Sequence, residues 1–322
     1  MLCRTASDLY WLSRHVERMD NTARLLDLAH RTSLLPERLG TRRAGSGAWE
    51  RALEALDLAG AYAARHGAID GARALEFLVL DPDNPSSILS CVRAARESAR
   101  AQRGAITGEM YQSINSTWLR LREFDREQIS TDGPTAFFDW AKRRAGAFRG
   151  VTIGTLGRDD GYEFLRLGTF VERADFGVRL LDANFDHPTD VAASDDGAAA
   201  EYYRMSALLQ ALSAFETFRK IYRDRLTPAR VAELVILGGD MPRSLAASSA
   251  AVLQVLERLG GARRSEALRI AGVLAAETRY GRIDEILAAG LDGWLTRWLE
   301  RLYRLGEGIN REFFAANDVI AA

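Results

Sequence analysis

Glu17, Arg18, Asp20 and Arg24 fall within three turns of one amphipathic segment, and Glu172, Arg173, Asp175 and Arg179 repeat the same types at the same spacing 155 residues later. Carboxylates interleaved with guanidiniums support three kinds of chemistry. They can brace one helix against another through ion pairs. They can grip a carboxylate, phosphate or peptide-like ligand through the guanidinium fork. They can also run acid–base catalysis, with Glu17 or Glu172 as general base on an amide or activated acyl group and arginines stabilising the oxyanion. All three readings stay open at the level of sequence.

The spacing is no accident of composition. DLYWLSRHVERMDNTARLLD (residues 8–27) aligns without gaps on EFLRLGTFVERADFGVRLLD (residues 163–182), with 9 of 20 positions identical, five of them charged. A second echo sets FLVLDPDNPSSI (77–88) against LVILGGDMPRSL (234–245), offset by 157. Two matches in the same order at nearly one offset indicate a duplicated unit much longer than a solenoid repeat. The expected arrangement is one domain over 1–322 with repeats of about 1–160 and 161–322, its two charged helices in contact or lining one cavity.

In a helix, Leu9, Leu12, Val16, Met19, Ala23 and Leu26 form one stripe, and Glu17, Asp20, Arg24 and Asp27 fall on its flank. Leu25 and Trp11 make the far side partly apolar, so the helix is expected to be central and its charged strip partly buried. Buried ions must be paired. The expected pairs are Asp20 with Arg24, Glu17 with Arg14 one turn back, and across the halves Glu17 with Arg179 and Glu172 with Arg24. The first copy carries Arg14 and His15 where the second has Thr169 and Phe170, so the first is the better candidate for a site.

Arg93, Arg96, Arg100 and Arg103, with Glu97 beside them, share one helix face at spacings of three and four. Like charges so placed need answering acids, which the first helices could supply, or an anion. In the Asp-x-Pro-x-Ser turns, Asp83 or Asn84 is the expected cap, and Arg243 stands at the second helix start, where anions can also bind. A transition metal fits poorly: Glu-x-x-Asp takes the place of Glu-x-x-His, and arginines oppose a cation. Mg²⁺, which accepts all-oxygen sites, fits somewhat better, but no metal or other cofactor is expected. No Walker loop, nucleophile elbow or zinc spacing is present.

The elements that must position these groups are helices. The chain has 322 residues, 47% hydrophobic, only 7 prolines, and a net charge of −1. That supports a large all-α core and gives no reason to expect nucleic acid or membrane partners. Two cysteines, no leader-like N-terminus and no long apolar run fit a cytoplasmic protein. Helices are expected at about 5–33 with Ser7 as cap, 49–66, 72–80, 86–121 with a break near Gly104 or Gly108, and 137–148. In the second half they are expected at 163–185, 201–225, 228–238, 243–259, 263–278 and 291–314. Loops are expected at 40–48, 130–135, 150–161 and 186–200.

LYWLSRHVERMDNTARLLD, NPSSILSCVRAARESAR, GEMYQSIN, GYEFLRLGTFVERADFGVRLLD and ETFRKIYRDRLTPARVAELVILGGDMPRSL, in that order, resemble the bacterial alpha-E domain family over residues 1 to about 314. Tyr111, Tyr162, Ser98 and His15 depart mildly from its pattern. The resemblance implies an all-helical domain found with circularly permuted ATP-grasp ligases and transglutaminase-like peptidases. It thereby suggests a part in making or processing peptides or amide-linked tags. The expected role is a helical component of such a system that binds the ligase or its peptide-like substrate. The groove would be lined by Glu17, Arg18, Asp20, Arg24, Arg96, Glu97, Arg100, Glu172, Arg173, Asp175 and Arg179, with Arg14 and Arg243 nearby. The rivals are an enzyme using Glu17 or Glu172 and a pure scaffold.

Overall fold

A computed structural model describes residues 1–34, 44–131, 133–185, 195–223, 225–260 and 265–315. Among them the regular structure is entirely helical. The first half contains α1 (Cys3–Ser33), α2 (Ala44–Ala55), α3 (Ala59–His66), α4 (Gly71–Val79), α5 (Ile88–Ala101), α6 (Gly108–Leu121), α7 (Arg126–Thr131) and α8 (Pro134–Thr155). The second contains α9 (Asp160–Phe185), α10 (Asp195–Ala211), α11 (Phe215–Tyr222), α12 (Pro228–Leu237), α13 (Leu245–Leu259), α14 (Glu266–Tyr280), α15 (Ile283–Ala288) and α16 (Leu291–Ile309), closed by a π turn at Asn310–Phe314.

α1 and α9 pack against each other at the centre. The apolar stripe of α1 is wholly buried, and Leu25 on its far side is buried too, while Trp11 is 38% exposed. α1 is flanked by α5 and α8, and α9 by α13 and α16. α5 packs on α6 as α13 packs on α14, and α6 meets α8 as α14 meets α16. Each half's second long-range neighbour is exchanged: α2 reaches α9, and α10 reaches α1. The order of neighbours in the first half therefore recurs in the second.

The Asp-x-Pro-x-Ser turns carry one hydrogen-bond pattern at both places. Ser87, not Asp83 or Asn84, caps α5: its Oγ donates to Asp81 O and accepts from Ser90 N. Ser244 does the same for α13, donating to Gly238 O and accepting from Ala247 N. Ser86 N donates to Asn84 Oδ1, and the corresponding Arg243 N points at Met241 Sδ. The serine wins the cap because its short hydroxyl reaches both the helix N–H and the carbonyl of the incoming strand of chain. Asn84 is turned instead to Phe77 O.

Other boundaries shift for local reasons. α1 starts at Cys3 with Leu2 at the cap position, so Ser7 lies inside the helix. The expected 49–66 helix starts at Ala44 and breaks into α2 and α3, where Asp57 adopts a left-handed φ of 58°. The 86–121 segment does break, with Thr107 capping α6. α8 runs on to Thr155 through the glycines expected to form a loop, because Phe148 and Thr152 face the core and tertiary burial outweighs glycine's poor helix propensity. The segment 186–194 lies outside the described residues, and 195–200 belongs to α10.

The close approach of α1 and α9 depends on Gly168. A Cβ there would overlap Tyr10 O and Ser13 Oγ. Gly168 and Ser13 hold matching positions in the two aligned segments, so the helices touch where their sequences correspond. Gly168→Ala is expected to cost about 1–3 kcal/mol through overpacking. Gly272→Ala, where nothing lies within 4 Å of the added carbon, should be neutral or gain up to about 1 kcal/mol from helix propensity. Urea denaturation of both variants checks the contrast, and a harmless Gly168→Ala would contradict the packing described.

Candidate functional site

Crossing at Gly168 brings the Glu-Arg steps of α1 and α9 face to face. Arg18 grips Glu172 with two bonds, Nε to Oε1 at 2.6 Å and Nη2 to Oε2 at 2.9 Å. In return Arg173 Nε donates to Glu17 Oε1 at 2.9 Å. The glutamate of each half is thus held by the arginine that follows the other half's glutamate. The expected cross-pairs, Glu17 with Arg179 and Glu172 with Arg24, do not form. The crossing point lies so close to the glutamates that adjacent residues face each other, and residues two turns further on have already diverged. Arg14 likewise reaches across to Glu172, at 2.8 Å, instead of back to Glu17.

Arg24 and Arg179 stay on their own helices. Arg24 Nε donates to Asp20 at 2.9 Å and its Nη1 to Ser213 Oγ at 2.8 Å. Arg179 bonds Asp175 at 3.3 Å and also the Tyr303 hydroxyl. Arg243, from the start of α13, drives into the centre: it bridges Glu17 at 3.0 Å, Asp20 at 2.6 Å and Asn21 at 2.9 Å. Arg149 of α8 completes the set, with Nη1 at 2.9 Å from both Glu17 Oε2 and Asp20 Oδ2. Arg149 escaped sequence reasoning because it lies in the glycine-containing part of α8, far from either echo, and no local spacing ties it to Glu17.

Arg96, Glu97 and Arg100 do not join this centre. Arg96 bonds Asn115 of α6 and Glu97, and Arg100 bonds Glu97. α5 ends before Arg103, whose guanidinium lies 3.8 Å from the Tyr111 ring centroid. Glu97 of α5 itself answers Arg96 and Arg100, Arg93 donates to Pro82 O, and α6 contributes Asn115 and the Tyr111 ring.

Glu17, Asp20 and Glu172 are at most 3% exposed. Burial alone would raise the Glu17 carboxyl, but Arg243, Arg173 and Arg149 outweigh it and hold the group well below the usual carboxylate range. Burial likewise opposes ionisation of Glu172, and Arg14 and Arg18 reverse that, to about 2. Asp175 goes the other way, because burial and the adjacent Glu172 charge outweigh Arg179. Burial, with Arg18 nearby, pulls His15 down to about 4, so its imidazole is neutral at ordinary pH. Burial pushes the Cys91 thiol up to about 12, which leaves it unreactive.

A cavity of about 160 Å³ opens beside Glu17, between α1, α8 and α9, and Arg149 and Arg173 share its lining. Among the described residues no group of three or more His, Cys, Asp or Glu could hold a metal ion, and no helix is long and apolar enough to cross a membrane. A general base needs a free lone pair and a pKa near the working pH. Glu17 has neither in this arrangement, and Glu172 lacks the pKa. What the arrangement provides is a rigid, cation-rich wall at the floor of a cavity.

Residues 1–314 match the Alpha-E family, described as "a predicted alpha-helical domain with a conserved ER motif". The chain belongs to that family. The description fits Glu17–Arg18 and Glu172–Arg173, the two Glu-Arg steps that bridge the central helices. Uncharacterized proteins of Mycobacterium bovis and of two strains of Mycobacterium tuberculosis are each 25% identical over 350 aligned positions, which cover 99% of this chain. The chain spans only 36% of the length of those relatives. No solved structure matches.

Removing either glutamate's charge strands buried arginines. Glu17→Gln and Glu172→Gln are each expected to cost about 3–5 kcal/mol: Arg173 loses its acid in the first, where Arg149 and Arg243 keep Asp20, and Arg14 and Arg18 lose theirs in the second. The pH dependence has a definite sign. Glu172 is depressed from 4.5 to about 2, so its contribution is complete above about pH 4.5 and is lost as pH falls toward 2. Asp175, being raised, contributes the opposite trend. Urea midpoints at neutral pH and at about pH 3 should fall steeply in the wild type and less steeply in Glu172→Gln. Equal slopes would contradict the pairing.

Proposed function

We propose that this chain is a non-hydrolytic helical component of an ATP-grasp amidoligase system, which recognises the ligase or its peptide-like substrate. The observation that carries the non-catalytic part is the consumption of Glu17 and Glu172 by arginines, which makes both glutamates poor proton acceptors. The partner class comes from the family resemblance: circularly permuted ATP-grasp ligases, with transglutaminase-like peptidases as second partners. The length of the relatives supports a component role, since 64% of each lies outside the matched region and joins this kind of domain to further chain. Recognition falls to the arginine-rich centre around Arg149, Arg173 and Arg243. Arg96, Glu97 and Arg100, occupied with one another and with Asn115, play no part in it. The reading needs no metal or other cofactor.

One observation favours the enzyme reading: Glu17 lines a cavity. For catalysis, substrate entry would have to displace arginines from a carboxylate that three of them hold, and breaking buried pairs costs on the order of several kcal/mol.

The purified chain is therefore expected to show no peptidase or ATPase turnover alone. It should co-purify with an ATP-grasp ligase encoded beside it, or change that ligase's rate of amide formation. Rapid peptide hydrolysis by the isolated chain, abolished by Glu17→Gln in protein that remains folded by circular dichroism, would overturn this and make Glu17 catalytic.

A further inference from the structure

The charge balance around Glu17 is uneven. Two carboxylates, Glu17 and Asp20, face four guanidiniums, those of Arg24, Arg149, Arg173 and Arg243. On the Glu172 side, two carboxylates face three. An excess of cation in a buried cluster is unfavourable unless an anion answers it. The excess lies where the cavity is.

Within that cluster Arg149 is the group with capacity to spare. Its Nη1 alone serves both Glu17 and Asp20, while its Nε and Nη2 make no hydrogen bond among the described residues. Those two nitrogens form the side-on edge of the guanidinium, the same edge with which Arg18 holds Glu172. Arg173 has no such edge left, since Nε and Nη2 go to Glu17 and Nη1 to Pro242 O. Arg166 at the cavity is occupied by Glu163 and Gln254.

The remaining walls are mostly apolar, Val16, Phe148, Ile153, Leu165 and Phe170; Tyr162 also lines the cavity, with Ser13, Thr152 and Thr169, whose hydroxyls donate to carbonyls of their own helices. Phe170 is held between two cations, with Arg166 at 5.8 Å and Arg173 at 5.4 Å from its centroid, so this wall is set in place before any ligand arrives. One unoccupied guanidinium edge matches a single carboxylate. A phosphate dianion would bring charge and hydration that apolar walls cannot replace. A volume of about 160 Å³ admits a body the size of a large amino-acid side chain.

We infer that the cavity beside Glu17 binds a carboxylate carried on an apolar body, with Arg149 gripping the anion and Val16, Phe148 and Phe170 enclosing the body; the C-terminus of a peptide ending in an aromatic or large aliphatic residue has this chemistry. This deepens the recognition role proposed above and rests on it only for the peptide identity of the ligand.

The test is calorimetric titration of the full chain with four probes: N-acetyl-L-phenylalanine, its C-terminal amide, 3-phenylpropionate and inorganic phosphate. N-acetyl-L-phenylalanine should bind at least about tenfold more tightly than the amide or phosphate, because only it supplies a carboxylate with an apolar body. Thr169→Trp, which fills the cavity while leaving every charged side chain of the cluster unaltered, should abolish binding while leaving the denaturation midpoint near wild type. Arg149→Lys, which keeps a cation beside Glu17 and Asp20 but loses the fork, should weaken binding by about tenfold or more. Equal binding of acid and amide, tighter binding of phosphate, unchanged binding by Thr169→Trp, or no binding of any probe would overturn the site. None of those outcomes bears on co-purification with a ligase. A preference for 3-phenylpropionate would uphold the site and count against the peptide reading of the function.

Discussion

Two glutamates buried at the crossing of α1 and α9 set the terms for the rest of the molecule. A buried carboxylate without a partner costs several kcal/mol. Glu17 and Glu172 therefore require arginines in fixed positions, and the reciprocal geometry of Arg18 and Arg173 supplies one to each. That exchange is possible only if the two helices come together closely and at matching residues, which Gly168 against Tyr10 and Ser13 allows. The outer helices follow from this. α5 and α8 cover α1 as α13 and α16 cover α9, and their apolar faces exclude the water that would otherwise loosen the ion pairs.

The two glutamates share one motif and differ in company. Arg243 reaches Glu17 from the start of α13, while Ser86 holds the corresponding place before α5 and bonds only within its own turn. Arg149 reaches Glu17 from α8, while Gly306, at the matching distance along α16, has no side chain to reach Glu172. Those two substitutions make one side of the crossing richer in cations and leave the other side nearly balanced. A framework whose helix contacts recur can thus keep its bracing pairs on both sides and still carry a distinct surface on one.

A dense cluster of acids and arginines invites a catalytic reading, and its electrostatics argue the other way. Arginines that depress a carboxylate make it a worse base, not a better one. The same arginines, where their donors outnumber the acids, become anion-binding groups. In this chain the proposed recognition therefore rests on the guanidiniums left over, not on the glutamates that mark the motif.

The sequence by itself determined the helical class, the central place of the segment around Glu17, and the residues of the charged strip. Those depend on periodicity and on like types recurring at one spacing, which are local properties of the chain. The recurring Asp-x-Pro-x-Ser turn was equally legible as a helix start, although not which side chain caps it, since Asn84 and Ser87 compete and only the fold around Phe77 and Asp81 decides between them. Partner choice belonged to the tertiary structure. Whether Glu172 meets Arg18 or Arg24 depends on where two helices cross, and a shift of one turn moves the crossing by about 5 Å. Arg149 and Arg243 enter from helices 132 and 226 residues away from Glu17 along the chain. No spacing within a segment encodes such a meeting. It is settled when the apolar faces of α8 and α13 find their seats on α1 and α9 and carry their arginines with them.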